Sequence, residues 1–591
     1  MARRMSLKAA FGFARRFAGL AGGYWLGRGR WPVRLLAAAL LALTVAQVSV
    51  PVMMNLWSQR LFDALEQRAM DRLPAMAAAA CAIMLFNIAV TVTHLWVKRR
   101  IQFGWRAWLT RRILGDWLSD GRELALAALP GNHDNPDGRI AEDIRIVTEL
   151  AIDLGHSLTY CLLLLVSFAS ILWRLSGTVD IAFGGVTVPV PGHLFLLALV
   201  FSAAGTAAAI AVGQPLVRAA ERRQGLEADF RFGLARVREN APIIARQHGE
   251  AAERGRMALL FGGVRRGWER QTGALVRVMT FGASYSVLST VFPILVVAPR
   301  YVAGTITLGM MMQTAQAFQQ AVAALSWPID NLATVAQWKA SVERVLGLNT
   351  ALQRLDREIG GEGTERIVVD RSDDETSLTF RDVSVAEPDG KLVIKPFNLE
   401  VKPGERVLIV GDPGAAVRLS RTVARVWPWG HGRIALPAHT RVFFMPERPY
   451  LAQGTLRAAL SYPVGPERVS DAEATAALER VGLRHLLPQL DEEDSWDEVL
   501  AMPEQQRLGF ARLLIRRPDW IFLEEATGSL DPESEHDMFR LIEEEVPSAT
   551  VLTIGSHPGL EAHHRRKLVL ERVNGAVQVR EEACGVVEVV G

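Results

Sequence analysis

Hydrophobic positions fall into two regimes that change near residue 350. Before that point long apolar runs recur; after it the runs shorten and alternate between strand-like and helix-like spacing. A bilayer-spanning helix needs about 20 predominantly apolar residues. Six runs qualify, at about 32–54, 74–97, 154–175, 193–214, 276–298 and 306–328. The segments 99–152 and 215–275 keep a helical pattern with many charges, so they predict extensions of the spanning helices plus short docking helices. Residues 351–376, with DREIGGEGTE and RSDDE, form a charged connector. The expected architecture is an all-α, six-helix transmembrane domain over 1–350, then the connector, then an α/β domain over 377–591.

Charge placement orients the spans. Lys and Arg cluster before the first run, after the second (KRRIQFGWRAWLTRR) and after the fourth (Arg218 to Arg223). Cytoplasmic loops carry such an excess, so both ends are expected in the cytoplasm. The basic start, MARRMSLKAAFGFARRF, leads into an apolar run with no small-residue cleavage site after it, and reads as an uncleaved segment. Trp31, Trp96, Trp105 and Trp108 lie near the expected boundaries, where interfacial aromatics gather. The charges at 98–112 read either as membrane anchors or as a solvated helix face.

Composition agrees with a membrane part joined to a soluble part: 50% of the residues are hydrophobic and 22% charged. A net charge of +3 points to no nucleic-acid partner. Cys81, Cys161 and Cys584 are far apart and match no metal spacing, so no metal cluster is expected. The first two sit in apolar runs and are expected to be buried thiols.

In the soluble part, ERVLIV reads as a buried strand, GDPGAAVR (Gly411 to Arg418) as a tight turn, and LSRTVARVW as a helix. Strand, glycine-rich turn, helix is the setting of GxxxxGK[ST], whose backbone N–H groups cradle phosphates. The frame keeps Gly411, Asp412, Pro413, Gly414 and Ala415. Ala416 stands in place of the last glycine, Val417 in place of the lysine, and Arg418 in place of the hydroxyl. Arg418 either supplies a substitute cation or is a solvated arginine.

The motifs that follow extend the pattern. LTFRDVSV and KPFNLEV flank a turn at Pro388, Asp389 and Gly390; FFMPERPYL, LAMPEQQRLGFARLL, WIFLEEATGSLD and IGSHPG come later in order. Residues 377–570 thus resemble the nucleotide-binding domain of ABC transporters, an α/β P-loop fold. NPDGRIAEDIRIVTE at 135–149 and EADFRFGLARVRENAPIIARQHGEAAER at 227–254 resemble segments of SbmA/BacA-like half-transporters, relatives of the peroxisomal fatty-acyl ABC transporters. The resemblance implies a fused permease and ATPase polypeptide that acts as a dimer, with ATP and magnesium sandwiched between facing domains.

Departures from that family pattern bear on chemistry. Glu447 stands where the Q-loop has glutamine, and Ala501 and Pro503 where the signature has serine and glycine. Glu524-Glu525 replaces the Asp-Glu that ends Walker B, and Ser556 takes the switch position with His557 one residue late. Glu525 still matches the family's general base, and Asp531 its D-loop aspartate. The family logic pairs one chain's phosphate loop with the other's signature, so a homodimer would carry both alterations in both sites.

Two polar patterns remain in the apolar runs. Gln313, Gln316 and Gln320 share one face of the sixth, as a substrate-lining stripe or as interhelical hydrogen bonding. Asp153, His156 and Tyr160 share a face at the start of the third, as a proton relay or as a solvated helix end. The expected protein is a homodimeric ABC-type transporter of a bacterial inner membrane, in contact with lipid, with hydrolysis weak or absent. By resemblance it moves peptides or bulky amphipathic solutes. A proton-driven transporter and a non-transporting regulatory subunit are the alternatives.

Overall fold

The structure, a computed structural model, describes residues 7–27, 29–129, 135–183, 186–360 and 366–584. The chain divides into two compact units, one of Met1–Arg112 and Asp137–Leu346, the other of Ile113–Pro136 and Gly347–Gly591.

The first unit is built from long helices: α1 (Leu7–Trp25), α2 (Trp31–Glu66), α3 (Leu73–Trp117), α4 (Ile144–Ser176), α5 (His193–Glu239), α6 (Glu250–Val302), α7 (Leu308–Leu325) and α8 (Leu332–Gly360). The charged segments after the second and fourth apolar runs are continuous with α3, α5 and α6. Two strands, β1 (Thr178–Phe183) and β2 (Val186–Pro191), pair antiparallel between α4 and α5.

Five helices are long and apolar enough to cross a membrane: Trp31–Glu66, Met70–Trp117, Pro136–Ser176, His193–Glu239 and Glu250–Val302. The sixth expected span coincides with α7, which has 18 residues and carries Gln313, Gln316, Gln319 and Gln320. Its polarity keeps it below the apolar standard of the other five. It is an interior helix, packed against α2, α4, α5 and α6. Phe318 lies against Phe201 and Phe292, and Ala317 and Ala321 bring the helices close. The first N–H groups of α7 have no partners within the helix. Thr307 caps one; Asp63 Oδ1 of α2 accepts from Gly309 N at 3.1 Å and Glu66 Oε2 from Leu308 N at 3.0 Å.

Exposed apolar side chains such as Leu85, Val92, Val200 and Leu295 cover the outside of the helices. Cys81 is exposed among them, contrary to expectation: an apolar run marks a lipid-facing surface as readily as a core. Trp31 and Trp96 are exposed, as interfacial residues should be. Trp105 is not; it is buried against Phe17, Tyr24 and Trp25 of α1. Trp108 likewise packs on Tyr24.

The second unit is an α/β fold. Its strands are β3 (Ile367–Ser372), β4 (Leu378–Ala386), β5 (Leu392–Val401), β6 (Arg406–Gly411), β7 (Gly430–Pro437), β8 (Val442–Met445), β9 (Trp520–Glu524), β10 (Thr550–Ile554), β11 (Arg566–Val573) and β12 (Ala576–Ala583). They join one sheet in the order β3-β7-β4-β5-β12-β11-β6-β10-β9-β8. From β11 through β6, β10 and β9 to β8 the pairing is parallel. Parallel strands are covered on both faces, which is why LIV, IFL and VLTI are unbroken apolar runs. The helices α9 (Pro413–Val423), α10 (Asp471–Arg480), α11 (Met502–Arg516) and α12 (Pro532–Glu545) supply the cover. A short helix from much earlier in the chain, Arg122–Ala128, belongs to this unit: Arg122 pairs with Asp356 at 3.0 Å, and Gly121 approaches Val426.

His564 is buried beside β10. Its Nδ1–H donates to Leu560 O (2.7 Å), so its Nε2 accepts from Thr553 Oγ1 (2.8 Å). That is the neutral ring. Burial, with smaller contributions from His563 and Arg406, pulls its pKa from 6.5 down to about 4. The unfolded chain therefore binds the extra proton first, and stability is lost as pH falls from 6.5 towards 4. We expect this group to remove about 2 kcal/mol between pH 7 and pH 5. Melting curves of wild type and His564→Gln at the two pH values check it: the variant should show a flatter dependence.

Candidate functional site

The second unit places the phosphate-loop frame at the end of β6. Gly411 has φ +108°, and a Cβ there would strike the backbone of Leu570. The chain then enters α9, whose cap is Asp412. Asp412 Oδ1 accepts from Ala415 N at 2.9 Å, and Oδ2 accepts from Arg572 Nε (2.9 Å) and Nη2 (2.6 Å). The Ala415 N–H, then Arg572, holds this carboxyl below the usual range. Pro413 occupies the first turn, where a missing N–H costs nothing. Ala415 and Ala416 are buried and pack into the core beneath the loop.

Val417 is half-buried and presents no polar group. Arg418 turns back: its Nη1 donates to Gly414 O at 2.9 Å, its Nη2 lies 2.5 Å from Glu387, and its guanidinium sits 5.5 Å from the Trp427 ring. Glu387 opens the turn between β4 and β5, with its N–H bonded to Lys391 O. The expected turn 411–418 is helical from Pro413 onward, and Asp412 takes the N–H of Ala415 with its carboxylate and that of Ala416 with its carbonyl. There is no ammonium at 417 and no hydroxyl at 418, and a carboxylate already takes a donor at the helix start.

The acidic side of the site lies at the neighbouring strand ends. Glu524 closes β9, and Glu525 follows with φ +47°. Both carboxyls are pushed up, first by burial; Arg421 opposes the shift at Glu524 and His557 at Glu525, while Glu447 raises both. Gln506 of α11 ties the loops together. Its Nε2 donates to Glu447 O (3.0 Å) and Glu525 O (3.4 Å), and its Oε1 accepts from Ser529 N (3.1 Å). Ser556 is exposed. His557 Nδ1 lies 3.2 Å from Glu535 Oε2, which also accepts from Thr527 Oγ1 at 2.7 Å.

The remaining predicted residues serve helix starts. Ala501 precedes α11 and donates its N–H to Glu504 Oε2 at 3.0 Å; Pro503 sits in the first turn. Asp531 caps α12, accepting from Ser534 N (2.9 Å) and Ser534 Oγ (2.8 Å). Loop 411–418, Glu447, Glu524, Glu525 and the switch residues therefore gather at the C-terminal ends of parallel strands, where α/β folds bind ligands. Sequence reasoning missed Glu387, Arg421, Arg572, Gln506 and Glu535, because each acts on a partner distant in the chain.

In the first unit the glutamines divide. Gln316 Nε2 donates to Ser58 Oγ at 2.8 Å, and Gln313, which is buried, accepts through its backbone O from Asn55 Nδ2 at 3.0 Å. Gln320 is half-buried. Asp153 takes Lys98 Nζ at 3.1 Å and Gln102 Nε2 at 3.0 Å. Thr44 Oγ1 gives its hydrogen to Leu40 O, so His156 Nδ1–H donates to it at 3.4 Å. The His156 ring stands 6.3 Å from Tyr160 and 4.1 Å from His94. His94, unmarked in the sequence pattern, is 4% exposed and its Nε2 has no partner among the described residues.

Comparison with known proteins agrees with this geometry. Residues 25–302 match the family "ABC transporter transmembrane region 2". The chain is 28% identical to the inner membrane ABC transporter ATP-binding protein YddA of Escherichia coli (strain K12), over 91% of this chain and 94% of that protein. It is 26% identical to the chloroplastic ABC transporter D family member 2 of Arabidopsis thaliana, over 94% of this chain and 85% of that one. Its fold is similar to that of a bacterial Atm1-family ABC exporter solved with ATP bound, with a TM-score of 0.65 and 16% identity over 93% of this chain and 95% of that chain. The chain is thus a relative of ABC transporters that join transmembrane and ATP-binding domains in one polypeptide, with D-family members among its kin.

Proposed function

We propose that the chain is one half of a dimeric, exporter-type transporter whose nucleotide site has lost most of its hydrolytic chemistry. It groups with the SbmA/BacA-like half-transporters and crosses a bacterial inner membrane with six spans, both ends and the second unit being cytoplasmic. Its solute is a peptide or bulky amphipathic molecule, a reading supported by that resemblance. ATP and magnesium are bound weakly or not at all. The observation that carries this reading is the state of Arg418. The residue closest to a replacement cation is folded onto Glu387 and Gly414 O, and Val417 beside it has no charge.

A charge-assisted hydrogen bond contributes about 1.5–3 kcal/mol, so loss of the lysine alone weakens binding by roughly 10- to 100-fold. Glu524 adds a methylene where the metal-facing carboxylate belongs, and a shift of about 1 Å costs on the order of 100-fold in rate. The expected ATPase turnover of the purified protein is at least about 100-fold below that of a consensus relative. Glu525→Gln should change it little. A robust rate abolished by Glu525→Gln overturns the reading.

Repair is the complementary test. Val417→Lys with Arg418→Ser restores the ammonium and hydroxyl in the first turns of α9, beside its cap Asp412. Nucleotide affinity by calorimetry should rise at least about tenfold. Hydrolysis should remain poor, since Glu447, Ala501, Pro503 and Ser556 are unchanged. No gain in affinity means that Asp412 and Arg572 close the cradle by themselves.

A second reading, transport driven by protons, is favoured by His94 and His156. Two imidazoles in ring contact share one buried site flanked by the Lys98–Asp153 pair. Pyranine-loaded proteoliposomes under an acid gradient report it. Proton entry stimulated by an external peptide should vanish in His94→Gln/His156→Gln, and unchanged entry rules this reading out.

A further inference from the structure

The second unit holds a cleft that none of the loops described above enters. It measures about 530 Å³ and is lined by Arg371, Arg441, Arg468, Arg512 and Arg516, with Glu473 as its one carboxylate. Arg441 precedes β8 and Pro518, also in the wall, precedes β9. Those are the N-terminal ends of two parallel strands whose C-terminal ends lead to Glu447 and Glu524. The length of β9, five residues at about 3.3 Å each, separates the cleft from the nucleotide loop's edge of the sheet.

The charge in this cleft is not balanced internally. Glu473 Oε2 is engaged by Ser470 N (2.9 Å) and Ser470 Oγ (2.7 Å), closing a capping box on α10. Arg441 faces Asp519 at 3.7 Å. Arg371 donates to Thr440 O. Arg512 is buried, and its guanidinium bonds only to carbonyls: Nε to Ala459 O at 2.8 Å, Nη2 to Tyr450 O at 2.7 Å and to Ala459 O at 2.5 Å. Arg468 and Arg516 have no carboxylate partner among the described residues. Burial draws Arg512 down to about 10, and Arg516 beside it acts in the same direction.

Buried cations are normally paired. Here one buried guanidinium, that of Arg512, and four more accessible ones line a concave surface with two carboxylates near them, one of which is already capping a helix. Guanidinium forks match phosphate oxygens in pairs, and several together exceed what one phosphate needs. The volume lies in the range of about 300–1,000 Å³ typical of small-molecule sites. We infer that this cleft binds a small polyanion carrying two or more phosphate groups, at a site separate from the nucleotide loop. Its source is either a soluble oligophosphate or the headgroup of a multiply phosphorylated lipid.

The test uses the full-length protein in detergent and in nanodiscs. Inorganic triphosphate titrated calorimetrically at low salt should bind saturably at one site per chain and weaken steeply as salt rises. Arg468→Glu/Arg516→Glu should weaken it by at least about tenfold. Arg468→Gln/Arg516→Gln, a milder change, should do the same in the same direction with an unaltered melting temperature. Arg540→Gln, an exposed arginine of α12 outside the cleft, should leave this binding intact. Nanodiscs containing a bisphosphorylated inositol lipid separate the sources: triphosphate binding blocked by that lipid points to a headgroup, and triphosphate binding indifferent to it points to a soluble ligand. Absence of saturable binding at low salt, or wild-type affinity retained by both double variants, overturns the inference.

Discussion

The second unit depends on how the chain passes from β6 into α9. A helix that starts at the end of a buried strand presents several N–H groups with no partner, at the positive end of its dipole. Something anionic or polar must meet them. In a phosphate-binding loop the ligand does this. Here Asp412 does, with its carboxylate on Ala415 N and with Arg572 behind it. The protein thereby supplies from its own chain the anion that meets the start of α9. The same logic accounts for Arg418. A guanidinium left at the loop without a ligand seeks an acceptor, and Glu387 with Gly414 O provides two.

The acidic loops follow from the opposite pressure. Glu524 and Glu525 sit where strands end inside the fold, and desolvation favours their neutral forms. A divalent cation would reverse that preference. Among the described residues Arg421 lies near Glu524 and His557 near Glu525, and each opposes the shift there, while His557 also leans on Glu535. Gln506 then holds the two loops through their backbone carbonyls, an arrangement independent of charge.

The sequence revealed the scaffold better than the ties. ERVLIV announced a buried strand because burial on both faces leaves a nearly continuous apolar run. The helix was legible only from Leu419; it begins at Pro413, because Asp412 caps it there and the expected turn becomes its first turns. Asp412 and Arg572, however, are 160 residues apart, and no local pattern links them. Glu387 is one exposed-looking acid in a turn until Arg418 reaches it. The hairpin 178–191 was hidden between two apolar runs, although β-branched residues around a Gly-Gly pair are a hairpin signal. His94 escaped for another reason: it is one polar residue in an apolar stretch, and only packing against His156 makes it a pair.

The sixth apolar run marks where pattern and physics diverge. Counting residues suggests a span like the other five, yet its four glutamines would be costly against lipid. The packing of α7 inside the first unit removes that cost. Gln316 reaches Ser58, and the backbone of Gln313 serves Asn55. The start of the helix is met by Asp63 and Glu66, carboxylates at the positive end of its dipole. All four partners belong to α2, so α2 and α7 are joined along their length by polar contacts rather than by apolar fit alone. Such contacts fix register, because a shift by one residue would leave each group unpaired.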